Sequence, residues 1–293
     1  MPPLKRTRAS LLALALGLVL ASCSGPEGFW RDQYVFVGDD GAVVPLGVLR
    51  WSEGHAEVKG WLGQDQHWQT SMHRRFAIAG RDASDLERTL RVFSAQAGPT
   101  ARLTLNGDPE ASGAMSLRIR TSSHDMTLST DSLHVLGEST DPEGASTYRA
   151  GRGRLRSGTT TEAGWIVVES TPRERPKHAF VDYGDYALVL AASHEHGALV
   201  LERSLDVRGF DHAFVSDGGH GRHTTSVQAD VSADAVRVRL PAFSMDLSMT
   251  VADRATSDGV DPDGHAVRYE TLLLGGDYAG VALLIHRRSG GRT

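Results

Sequence analysis

"SLRIRTSSHDMTLST", residues 116–130, returns in altered form as "VRVRLPAFSMDLSMT", residues 236–250. Within the first stretch, Leu117-Arg118-Ile119-Arg120 alternates apolar and charged side chains, as a strand with one buried face does. Val236-Arg237-Val238-Arg239 repeats that alternation at an offset of 119, and Met126-Thr127-Leu128-Ser129 matches Met245-Asp246-Leu247-Ser248 at the same offset. Asp141-Pro142-Glu143-Gly144 and Asp261-Pro262-Asp263-Gly264 then match at 120, which needs one inserted residue. Ala163-Gly164 and Ala279-Gly280, each ahead of an apolar strand, match at 116. Upstream, Leu86-Glu87-Arg88-Thr89-Leu90 matches Leu201-Glu202-Arg203-Ser204-Leu205 at 115. Five matches in one order, with small drifts in offset, predict an internal duplication.

Strand-like segments recur every ten residues or so, set among Gly, Asp and Ser, with hardly any helical spacing. Gln33–Val37, Ala42–Trp51, Ala56–Leu62, Leu90–Ala95, Asp125–Thr130 and Gly164–Ser170 are examples from the first half. Tyr186–Ala192, Gly197–Arg203, Ser244–Thr250, Val267–Leu274 and Gly280–His286 are their counterparts in the second. The expected class is all-β, as two successive β-barrel or sandwich domains. Residues 29–170 form the first and 179–293 the second. Thr171 to His178, with two prolines and four charges, reads as an exposed linker at 171–178.

Residues 1–22 read as a signal peptide. Lys5, Arg6 and Arg8 precede an apolar run from Leu11 to Leu20, too short for a permanent membrane span. The run ends in Leu20-Ala21-Ser22-Cys23, which resembles the bacterial lipoprotein signal. That resemblance implies lipid attached to Cys23, a short tether over 23–28, and a body held at the outer side of a bacterial membrane. Cys23 is the single cysteine, so the chain can form no internal disulfide and carries no other thiol nucleophile. Whether the inner or an outer membrane would hold it is left open, as is the oligomeric state.

Loss of the leader takes three positive charges from a net charge of −5, leaving about −8 on the body. Such a body is repelled by nucleic acid and by anionic lipid head groups. Two successive β-domains of this size on a secreted chain resemble the tandem lipocalin-like superfamily, which includes carotenoid hydratase-like and AttH-like proteins. Gly28-Phe29-Trp30, just ahead of the first strand, is similar to the Gly-x-Trp that opens many lipocalins. The resemblance implies lipocalin-like barrels and carries no catalytic residue to any position.

Motifs for chemistry are sparse. Asp261, Asp263, Gly264 and Glu270 fill positions 3, 5, 6 and 12 of an EF-hand loop, but position 1 is Gly259 and the flanks read as strands. In the first copy, position 12 is Ala150. Asp first, Pro second and Gly fourth instead suit a type I turn between strands. His194 and His196, in "SHEHG", fall at a hairpin tip, and His220 and His223 follow in "GGHGRH". Zinc needs three or four convergent ligands, so no metal site is assigned. No Gly-x-Ser-x-Gly, phosphate loop or dinucleotide fingerprint is present, and no cofactor is expected.

"GWLGQDQHWQTSMHRRF", Gly60 to Phe76, is the most unusual stretch. Trp61, His67, Trp68 and His73 stand among glutamines, a mixture that suits the wall of a pocket for a partly polar ligand. The expectation is therefore a lipid-anchored envelope protein that binds a hydrophobic or amphipathic small molecule. The alternatives are an enzyme of the same architecture, adding to or isomerising a lipid-like substrate, and a surface module that binds protein. The enzyme needs convergent titratable groups in a cavity, with His67, His73 or Asp65 as candidates, and the protein-binding module needs an exposed apolar patch.

Overall fold

The structure is a computed structural model. It describes residues 29–51, 55–61, 71–79, 87–92, 102–107, 113–120, 125–141, 144–173, 185–203, 209–216, 219–260 and 266–287. The first sheet opens with β1 (Phe29–Gly38), β2 (Val43–Trp51), β3 (His55–Trp61), β4 (Ser71–Ala79), β5 (Glu87–Val92) and β6 (Arg102–Asn106). It continues with β7 (Met115–Arg120), β8 (Asp125–Thr130), β9 (His134–Asp141), β10 (Gly144–Ser157) and β11 (Thr160–Arg173). The second sheet holds β12 (Asp185–Ser193), β13 (Gly197–Arg203), β14 (His212–Ser216), β15 (Gly221–Thr224) and β16 (Gln228–Val231). β17 (Ala235–Leu240), β18 (Met245–Val260), β19 (Ala266–Gly276) and β20 (Ala279–Arg287) complete it. Among the described residues, the sole helical element is a single 3-10 turn, Pro241–Phe243. The chain is all-β, with two successive antiparallel sheets, as expected.

The sheets differ in closure. In the first, β1 to β8 lie side by side, β8 pairs with β10, and β11 pairs with both β10 and β1. That ring leaves no edge open, and β9 extends the line of β8 along β10. The second runs β15-β14-β13-β12-β20-β19-β18-β17-β16 and is open between β15 and β16. Counting outward from β1 and from β12 gives every strand of the second sheet a counterpart in the first, while β5 has none. The missing strand is where the second sheet opens.

The duplication is visible in detail. Gly164 on β11 and Gly280 on β20 each face the first strand of their own copy. A Cβ on Gly164 would come within 2.2 Å of the Val37 carbonyl oxygen, and one on Gly280 within 2.1 Å of that of Leu190. Both glycines permit the same close backbone approach. The stretches 116–130 and 236–250 form matching hairpins. Leu117, Ile119, Met126 and Leu128 face one core, and Val236, Val238, Met245 and Leu247 the other. The cross-strand partners have nevertheless slipped: Ile119 opposes Met126, whereas Val238 opposes Leu247 and Leu240 opposes Met245. A slip of two keeps every side chain on its face, so the core pattern survives it. The chain is interrupted between β8 and β9 in the first copy, and a bulge between Val251 and Asp253 in β18 accommodates the one inserted residue of the second. Asp141 pairs with Gly144 across the first Asp-Pro-acid-Gly turn, joining β9 to β10. The second lies in 261–265, outside the described residues, between β18 and β19. The match of 86–90 with 201–205 does not hold: Glu87 to Leu90 belong to β5, and Leu201 to Arg203 to β13, beside the first strand of its sheet. Apolar–charged runs recur by chance in a chain this rich in strands.

Three apolar clusters stack through the molecule. Tyr34, Phe36, Leu46, Leu117, Ile119, Ile166 and Val168 fill the first sheet, and Val189, Leu199, Leu201, Val236, Leu272 and Tyr278 line the second. Between them, Val35, Val37, Tyr148, Trp165 and Val167 meet Leu188, Leu190, Val200, Phe214 and Val281. β1, β11 and β12 are thus buried on both faces, which is why Tyr34–Val37 and Ala187–Ala192 read as unbroken apolar runs. Fit at the junction is close: a Cβ on Gly137 would come within 2.3 Å of the Phe214 ring, and one on Gly221 within 2.3 Å of the Leu136 backbone. Each fully buried large apolar side chain contributes roughly 1.5–3 kcal/mol, so this interface holds the sheets as one packed unit.

Candidate ligand site

The open second sheet carries a pocket of about 380 Å³ on its concave face. Its wall is apolar: Ala187, Leu272 and Leu284 project inward from β12, β19 and β20, and Phe210 closes over them from the segment before β14. Ala229, Val231 and Ala233, on and just after β16, supply the opposite side. Strand periodicity puts charged residues at the mouth. Arg203 lies opposite Ala187 across β12 and β13, so it shares that residue's inward face. Arg254 lies opposite Leu272, and Glu270 opposite Leu284, so both do the same. His286 is two residues beyond Leu284 and reaches the same mouth.

Glu270 organises these groups. Arg254 Nε donates to Oε1 at 2.9 Å, and His286 Nε2 lies 3.3 Å from Oε2. The two partners flank Glu270 diagonally, one on each neighbouring strand, within reach of long side chains across a sheet. Arg254 also donates to the Ala233 carbonyl at 3.3 Å, tying β18 to the turn after β16. Glu270's side chain is 14% exposed, against 42% for Arg254 and 41% for His286. The carboxylate is therefore the inner member, and the cations form the rim. A second hollow of about 460 Å³, lined by Phe210, Gln228, Arg237 and Asp246, adjoins this pocket across Phe210 and Ala229.

Other polar groups are buried in structural settings. Asp32 is inside the first sheet, on the face of Tyr34 and Phe36, and accepts from Ser170 Oγ at 2.9 Å and Tyr34 OH at 3.4 Å. Glu169 is at the junction, where the Thr171 and Ser146 hydroxyls reach its Oε1. Histidines gather along the same junction. His134 of the first sheet lies 2.7 Å from Ser216 Oγ of the second, and burial together with the charge of His220 holds its pKa below the ordinary value. His212 and His223 stack with Phe214, and burial beside His212 lowers the pKa of His223 as well. His194, on the tip between β12 and β13, reaches Asp39 of the first sheet at 3.1 Å. Asp39 also takes a two-pronged contact from Arg152, at 2.7 and 2.5 Å, which depresses its carboxyl pKa. Among the described residues, no group of three or more His, Cys, Asp or Glu converges as a metal site.

Of the sequence candidates, Trp61 and His73 are on the first sheet. Trp61 ends β3 and His73 is within β4, where Trp61 pairs with Ser71 and Lys59 with His73. His67, Trp68, Asp65 and Cys23 lie outside the described residues. The pocket's own charged residues were not singled out as a site, apart from Glu270, which entered as position 12 of a calcium loop. Arg203, Asp230, Arg254, Glu270 and His286 come from five separate strands, and no local motif joins them.

No family model matches the chain, and no curated protein matches its sequence. Among solved structures, a protein from Nitrosomonas europaea assigned provisionally to AttH aligns at 13% identity and a TM-score of 0.38, over 88% of this chain and 91% of its own. CghA aligns at 11% identity and a TM-score of 0.48, over 92% and 90%. Kievitone hydratase from Nectria haematococca aligns at 9% identity and a TM-score of 0.46, over 89% of each chain.

Proposed function

We propose that this protein binds an amphipathic small molecule on the concave face of its second sheet, with the apolar part against Phe210, Leu272 and Leu284. The pocket of about 380 Å³, apolar inside and charged at the mouth, carries this reading. A size of roughly 300–1,000 Å³ and a mostly apolar wall with few polar groups are what a small-ligand site requires. Among the residues whose burial is described, Val135 is the lone large hydrophobic group that is exposed, so these residues lend no support to an apolar docking patch. The Leu20-Ala21-Ser22-Cys23 segment supports a lipid on Cys23, which would present this pocket at the outer surface of a bacterial membrane.

A second reading is favoured by one contact, the carboxylate–imidazole pair of Glu270 and His286 at 3.3 Å. Such a pair beside an apolar wall can exchange a proton with a bound molecule, as addition or isomerisation of a lipid-like substrate requires. The resemblance to the carotenoid hydratase-like and AttH-like superfamily points the same way. Both oxygens of Glu270 are already engaged, which supports binding as the first reading.

Native mass spectrometry after exposure to extracted envelope lipids tests the proposal. The protein retains a small molecule, and Ala229→Trp, which fills the mouth, releases it. Retention by the filled variant, or no retention by either protein, overturns the reading. Conversion of the retained molecule, abolished by His286→Gln while binding persists, would establish the enzyme.

A further inference from the structure

Arg203 distinguishes itself among the charged residues of the pocket. Arg254 is engaged by Glu270 and the Ala233 carbonyl, and His286 by Glu270. Asp230 is exposed on β16, where water screens it. Arg203 Nε is buried and meets no hydrogen-bond partner, and the guanidinium makes no ion pair among the described residues. A shielded donor left unmatched is costly unless something supplies the acceptor. The side chain lines the pocket beside Ala187, at the boundary between its apolar wall and its mouth.

We propose that the ligand is an amphiphilic anion, with a carboxylate or comparable oxyanion head received by Arg203 and its chain laid along Ala187, Phe210, Leu272 and Leu284. This rests on the small-molecule reading above and adds the charge of the head group. A guanidinium offers a planar fork of donors that matches an oxyanion in pairs, which an alcohol or amide head cannot exploit equally. The body's overall negative charge does not attract anions in general, so selection falls to this local donor.

Titration calorimetry at pH 8 with dodecanoate, dodecanol and dodecyltrimethylammonium, all below micelle formation, tests it on the whole protein. Dodecanoate binds roughly tenfold or more tightly than dodecanol, the scale of one charged hydrogen-bonded contact. Arg203→Gln abolishes that preference by weakening dodecanoate far more than dodecanol, and Arg203→Lys retains part of it. Equal binding of dodecanoate and dodecanol, tighter binding of the ammonium, or a preference that survives Arg203→Gln overturns the anionic head and leaves the pocket standing. Failure of all three amphiphiles to bind overturns the pocket itself, and the head-group assignment with it.

Discussion

Replacing Gly164 or Gly280 with alanine tests the structural frame. The added Cβ would come within 2.2 Å of the Val37 carbonyl oxygen in the first case and 2.1 Å of the Leu190 oxygen in the second. Ordinary contact begins near 3.4 Å, so each pair of strands must separate by about an ångström. The obstacle is backbone, not a side chain that can rotate away. At Gly164 the Phe36 ring at 2.8 Å closes a second direction, and at Gly280 the Ala191 Cα does so at 2.5 Å. Overpacking of this kind costs typically 1–3 kcal/mol, and a backbone obstacle places both variants toward the upper end, about 3 kcal/mol. At roughly 2–4 °C per kcal/mol for a chain of this size, the apparent Tm falls by about 6–12 °C. Gly113→Ala is the control, because nothing lies within 4 Å of its would-be Cβ. Thermal unfolding followed by circular dichroism reads all three. If Gly164→Ala and Gly280→Ala melt within a degree or so of Gly113→Ala, the close approach is wrong, and the equivalence of β11 and β20 loses its best support.

Gly137→Ala drives a Cβ into the buried Phe214 ring and should cost about 1–3 kcal/mol, recovered in part by Phe214→Leu; a double-mutant cycle in urea shows the coupling. Arg118–Asp125 on the first hairpin is half-buried and Arg239–Asp246 on the second is exposed, yet both reach solvent, so Asp125→Asn and Asp246→Asn should each shift stability by less than about 1 kcal/mol. The lowered pKa of His134 makes the junction acid-sensitive. The unfolded chain takes up that proton first, near an ordinary value of about 6.5, so the contribution is complete above it and is lost as the pH falls below. Urea midpoints measured from pH 8 to pH 5 should decline below about 6.5, and His134→Asn should flatten that decline. Glu270→Gln should loosen Arg254 and His286 and weaken ligand binding at the mouth, which the same calorimetric titration reads.

The all-β class and the duplication were legible because their signals are local. Alternation at 117–120 and 236–239 marks one buried face per strand, and an even slip in register cannot erase it. The one inserted residue that the change of offset requires falls where β18 has its bulge, between Val251 and Asp253. What could not be read was the difference between the copies. Closure depends on whether β5 has a counterpart, and the strand order of the second sheet gives it none. The site was hidden for a related reason. Arg203, Arg254, Glu270 and His286 converge across β13, β18, β19 and β20, at spacings set by sheet geometry and not by any motif. Aromatic richness drew attention to Trp61, His67, Trp68 and His73, and two of these four lie outside the described residues.

Mapping the bound amphiphile tests the central claim most directly. A long-chain carboxylate carrying a photoactivatable diazirine near its tail is bound, illuminated, and its attachment points found by peptide mass spectrometry. The label should attach to Phe210, Ala229, Leu272 or Leu284, and excess dodecanoate should suppress it. Labelling confined to the first sheet, or unaffected by competitor, contradicts the account.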